Sequence, residues 1–223
     1  GMTMNLSGIK TYYQDHKNTY SEHFRLRIHR SLSWLEKAEE RWSVQDWDFA
    51  FQSMWIAFNA AYAYELDGRT MPADRNKFQT FLNKVCALDT DKQIYALVWK
   101  EFSGAIRSLL GNRYVFQEFW DFHNGYISEA AYLECFEKER RKVNAALAAQ
   151  DTATVLFVLF DRLYTLRNQM VHGGATYNSS ANREQLKDAC KILGSILPVM
   201  LSIIQKNADK DWGKPFYPFV KED

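Results

Sequence analysis

Apolar residues recur every three or four positions along almost the whole chain, the period of an α-helix that buries one face. Phe24, Ile28, Leu32, Leu35, Ala38 and Trp42 form one such stripe. Thr19 and Glu22 stand ahead of it at capping-box spacing, so a long helix is predicted there. A second helix is predicted from about Asp46 to Leu66, with Trp47, Phe51, Met54, Trp55, Phe58, Ala61, Tyr62 and Leu66 on its apolar face. Asp67-Gly68 ends it, because glycine readily takes the left-handed conformation that closes helices. Only a few residues separate the two helices, which predicts antiparallel packing.

The middle of the chain, 69–150, is less regular. Phe78, Phe81, Leu82 and Val85 mark a short helix, and Ile94, Leu97, Val98, Phe102, Ile106 and Leu109 a longer one closed by Gly111. Arg113–Phe122 is aromatic and reads either way. Ser128 suits the cap of a further helix carrying Leu133, Phe136, Val143 and Leu147. The last third is clearer. Asp151 or Thr152 opens a very apolar helix through Val155, Leu159, Leu163, Leu166 and Met170, stopped by Gly173-Gly174. After a polar loop, Asn182 and Gln185 have capping-box spacing. The final stripe is Leu186, Ala189, Leu193, Leu197, Met200 and Ile204, with Pro198 expected to bend its helix. The tail from Asp209 has no period and reads as extended. With no hairpin pattern, internal repeat or linker, the economical reading is one all-α domain, an elongated helical bundle of about seven helices.

Composition narrows the function classes. The chain has 223 residues, 47% of them hydrophobic and 15% aromatic, enough for a packed core. A net charge of +1 supplies no global field for a polyanion, so nucleic-acid binding would need a local patch. Two basic clusters exist: Arg25, Arg27, His29 and Arg30, and Lys138, Arg140, Arg141 and Lys142. Interleaved with stripe residues or flanked by Glu137 and Glu139, both read as solvated helix faces. Cys86, Cys135 and Cys190 fit neither a disulfide framework nor a zinc spacing, and a reducing, cytoplasmic location is expected. Cys190 falls on a core stripe. No charged-then-apolar leader opens the sequence, and the apolar stretches Val155–Phe160 and Ile192–Ile204 are too short to span a bilayer, so no membrane partner is expected. His23 and His29 do not share a helical face, and no glycine-rich phosphate loop is present, so neither metal nor cofactor is expected.

The candidate chemistry lies at Arg167-Asn168-Gln169-Met170-Val171-His172, at the end of the apolar helix before Gly173-Gly174. It is the one place where Arg is followed by His after four to six residues. Histidine is suited to proton transfer near neutral pH, and arginine to a phosphate, because its planar fork stays charged and donates several hydrogen bonds. Asn168 can orient either group. Residues five apart on a regular helix point about 140° apart, so Arg167 and His172 would share a face only where the helix unwinds or a second chain contributes. A plain structural reading stands beside this one. Arg and His near a helix C-terminus meet the helix dipole favourably, and His before Gly-Gly is an ordinary helix end.

At this motif the chain resembles the HEPN family, whose signature is Arg, four to six residues, then His, often with a polar residue directly after the Arg. A long helix pair before the motif and a long helix after it agree. The resemblance implies a four-helix core at about 21–66 and 152–206, with 69–150 inserted between core helices 2 and 3. It implies a homodimer whose two motifs meet across a cleft and a metal-independent endoribonuclease in a defence or toxin–antitoxin setting. RNA would be the substrate and a cognate antitoxin a partner. Arg167, Asn168 and His172 would be catalytic: His172 for proton transfer, Arg167 for the scissile phosphate, Asn168 assisting. Asn59, a polar residue in the apolar stretch Ile56–Ala63, and Gly173 are candidate binding positions. Two other classes stay open: a non-catalytic HEPN-like module that binds RNA or a nucleotide, and a structural helical interaction domain with a chance motif.

Overall fold

The computed structural model describes residues 4–62, 75–215 and 217–221, the side chains of 75–77 excepted. Among the described residues the fold is all-α, without strands. The helices are α1 (Ser7–His16), α2 (Glu22–Ser43), α3 (Trp47–Tyr62), α4 (Arg75–Leu88) and α5 (Gln93–Ala96). They continue with α6 (Ser103–Leu110), α7 (Gln117–His123), α8 (Glu129–Ala148), α9 (Thr152–Val171) and α10 (Arg183–Lys206). Contacts divide the chain into two compact units, Gly1–Asp91 with Asn182–Asp223, and Lys92–Ala181. A stripe shows that a helix buries one face but not against which partner. The pair at 152–206, which the resemblance assigns to one core with 21–66, falls across the unit boundary: α9 belongs to the second unit and α10 to the first.

In the first unit α2 packs along α3, and α3 against α10. The cap of α2 is Ser21, not Thr19: its Oγ accepts from the Phe24 N–H, while the Thr19 hydroxyl donates to the His16 carbonyl. Phe24, Ile28, Leu32, Leu35, Ala38 and Trp42 are all buried, as their spacing predicts. Arg27 departs from the solvated face expected of its cluster. It lies on the inward side of α2 and is 1% exposed. Its guanidinium donates to the Ala61, Trp212 and Gly213 carbonyls at 2.6, 2.9 and 3.1 Å, acceptors that sequence spacing does not reveal. Asp46 begins α3, its Oδ1 accepting from the Phe49 N–H. Leu66 and the expected stop at Asp67-Gly68 lie outside the described residues. Phe58, Tyr62, Phe78 and Phe81 form an aromatic core with Trp212 at its edge. Asn182 opens α10 in the left-handed region without a side-chain cap bond, and the helix runs on through Pro198. Among the described residues α10 alone is long and apolar enough to cross a membrane; 67% of its apolar window is buried inside the protein.

The second unit holds the largest departures from the periodicity. The single helix expected across Ile94–Leu109 is broken by a π turn at Leu97–Glu101. Three successive steps of four residues, Ile94 to Ile106, would walk the stripe about 120° around a regular α-helix. A π turn has more residues per turn and holds it on one side. The ambiguous aromatic stretch is a 3-10 turn at Arg113–Val115 followed by α7. Phe116, Phe119 and Tyr132 form its core, with Phe122 and Phe136 packed on it. Ser128 caps α8 and Asp151 caps α9, both through side-chain oxygens accepting from N–H groups three residues on.

Candidate functional site

The motif sits where α9 stops, and two backbone bonds make the stop. The Gly173 N–H donates to the Met170 carbonyl at 3.1 Å and the Gly174 N–H to the Gln169 carbonyl at 2.6 Å. With Gly173 at φ +73, this is a Schellman ending, and His172 is the last residue before the chain turns away. Both glycines are required. Gly173 takes a left-handed backbone that side chains resist. A Cβ on Gly174 would stand 2.8 Å from the Gln169 carbonyl oxygen. The Gly173 position, a candidate for binding, thus has a backbone role in ending the helix.

This ending presents the three candidate catalytic residues differently. His172 is exposed, held through its backbone by an N–H bond to the Asn168 carbonyl at 3.0 Å. Arg167 and Asn168 are half-buried, and an Arg167 Nη1 donor meets Asn168 Oδ1 at 2.9 Å. Among the described residues no carboxylate lies within ion-pair distance of Arg167, so its charge is not neutralised locally. No hydrogen bond joins Arg167 to His172 among the described residues. Asn59, the other candidate, is half-buried on α3 in the first unit, whereas the motif belongs to the second.

Sequence reasoning missed Gln169, inside the motif. Its Nε2 donates to the Tyr114 carbonyl at 2.6 Å, and the Trp120 indole N–H donates to the same oxygen at 2.8 Å. That shared acceptor ties the last turn of α9 to the 3-10 turn and to α7. The signal was weak, a polar residue beside two others.

The chain matches no protein-family model, no curated protein and no solved structure.

Other groups read from the sequence take plain positions. Among the described residues no three His, Cys, Asp or Glu side chains gather closely enough to hold a metal ion. Cys190 is buried, its thiol 3.5 Å from the Trp47 carbonyl, and burial pushes its pKa well above that of an ordinary thiol. Cys135 is exposed. Lys138 and Arg140–Lys142 lie on an exposed face of α8.

Proposed function

We propose that this chain is a metal-independent endoribonuclease of HEPN type, dimeric, cytoplasmic and acting in a defence or toxin–antitoxin setting. The observation that carries the reading is the pairing of an exposed His172 with an Arg167 whose charge meets no carboxylate among the described residues. A cation left without a local counter-charge at a helix end is available to a phosphate. An imidazole in solvent is available for proton transfer.

The reaction follows from these two groups. The neutral imidazole of His172, from one copy, takes the proton of a ribose 2′-OH as its oxygen attacks the adjacent phosphorus. The guanidinium of Arg167 stabilises the negative charge on the phosphorane oxygens. The P–O5′ bond breaks, and an imidazolium, that of the second copy in a composite site, gives a proton to the departing 5′-oxygen. The products are a 2′,3′-cyclic phosphate and a 5′-hydroxyl. Because residues five apart on a regular helix point about 140° apart, a second copy across a two-fold axis is the economical way to complete the site. Asn168, bonded to Arg167, orients the guanidinium.

The competing reading, a structural helical domain with a chance motif, has one observation in its favour: the Schellman ending by itself accounts for Gly173 and Gly174. Purified protein incubated with total RNA in excess EDTA separates the two. Cleavage to cyclic-phosphate ends that His172→Ala lowers by about 10²–10⁴-fold is expected. Activity absent, dependent on added magnesium, or equal in the variant overturns the proposal.

A further inference from the structure

The second unit contains a cavity of about 300 Å³ that makes no use of Arg167, Asn168 or His172. Three arginines from three helices line it: Arg107 of α6, Arg140 of α8 and Arg162 of α9. Asn144 adds an amide, and Leu110, Phe136 and Val143 supply an apolar wall. No carboxylate lines the cavity. The acids that approach its arginines stand outside the wall. Glu137 accepts from both Nε and Nη2 of Arg140, at 3.0 and 2.6 Å, leaving Nη1 of that fork for a ligand, while Asp161 and Glu139 lie 3.7 and 3.9 Å from Arg162.

Arg162 gives the cavity its character. It is 1% exposed, in the middle of α9, with its guanidinium 4.7 Å from the centre of the Phe116 ring. A guanidinium does not discharge at any physiological pH, so it presents fixed positive charge at the inner wall. Arg107 and Arg140 are exposed. The lining thus carries three guanidiniums and one apolar side, with the acids held outside the wall, and its volume is at the low end of small-molecule sites, which run from roughly 300 to 1,000 Å³.

We propose that this cavity binds a small phosphomonoester bearing an apolar or aromatic substituent. A phosphate dianion carries three terminal oxygens on one centre and can accept from several guanidinium forks at once; a carboxylate has two oxygens and is satisfied by one fork. Three arginines around one cavity match the first better than the second. The wall of Leu110, Phe136 and Val143 takes the substituent, with Phe136 offering a ring face or edge.

Calorimetric titration of the whole chain with phenyl phosphate, inorganic phosphate and benzoate tests this. Phenyl phosphate is expected to fill a single saturable site, at least about tenfold more tightly than either of the others. Arg107→Gln and Arg140→Gln are each expected to weaken it by about tenfold or more, the worth of a charge-assisted hydrogen bond. Both side chains are exposed, so melting temperatures should stay at the wild-type value; if Arg140→Gln melts lower through loss of Glu137, Arg107→Gln decides alone. The proposal is overturned if phenyl phosphate does not bind, if the substitutions leave its affinity unchanged, or if benzoate or inorganic phosphate binds as tightly.

Discussion

At the scale of residues, Arg167 separates a chemical role from a structural one. Its guanidinium is half-buried and bonded to Asn168 Oδ1, a local contact that shapes the fork without holding the fold together. Arg167→Lys keeps the charge but loses the planar donor pair. Cleavage should fall by about 10–10²-fold, the worth of a charge-assisted bond to the transition state, while thermal melting stays at the wild-type value. A lysine variant that cleaves as fast as wild type would mean that no bidentate phosphate contact is made there. The position of His172 was legible from the sequence because Gly-Gly marks the helix end. Gln169 was not, since its partner is a backbone carbonyl 55 residues away. Arg27 shows the same limit: its type argued for solvent, and three carbonyls brought together by folding argued otherwise.

Among the elements, the C-terminal segment after α10 depends on α2 and α4 more than on any pattern of its own. Arg27 holds the Trp212 and Gly213 carbonyls, Arg30 donates to the Tyr217 carbonyl, and Lys84 donates to the Asp211 carbonyl with its ammonium over the Trp212 ring. Arg27→Met conserves most of the apolar stem but strands buried carbonyls. It should cost about 2–5 kcal/mol and expose the segment after residue 207 to proteolysis before the helices are cut. Unchanged melting and unchanged protease resistance would show that the segment is held by its aromatic packing alone. Of the elements themselves, the long stripes of α2, α3, α9 and α10 were readable; that of α8 was readable only in part, since Val143 is buried as its spacing predicts while Leu133 is exposed and its neighbour Tyr132 turns inward. α1 was not, because Ile9 and Tyr13 are its only buried residues and two positions make no stripe. Nor was α7, where aromatic residues occur on every side.

For the whole molecule, the proposed composite site requires two copies. Light scattering at micromolar concentration should give twice the 26.1 kDa chain mass, and excess His172→Ala protein exchanged into wild type should lower activity by more than dilution, because each mixed dimer lacks one of the two histidines. A monomer that still cleaves RNA would place all the catalytic groups in one chain and remove the reason for the pairing. With a net charge of +1, RNA affinity would come from charge concentrated around such a site, and should weaken steeply with salt even though the protein is nearly neutral.

What the sequence determined is whatever depends on neighbours along the chain. Period decided that the fold is all-α, side-chain oxygens at Ser128 and Asp151 decided where two helices begin, and Gly173-Gly174 decided where α9 ends. These rest on bonds spanning three to five residues, which spacing encodes directly. Tertiary structure alone decided that α9 and α10 belong to different compact units, that Arg27 turns inward, and that Arg107, Arg140 and Arg162 line one cavity. Each of these depends on which stripe meets which, and apolar stripes of similar width are nearly interchangeable as partners until side-chain shape and the position of every buried acceptor are settled together.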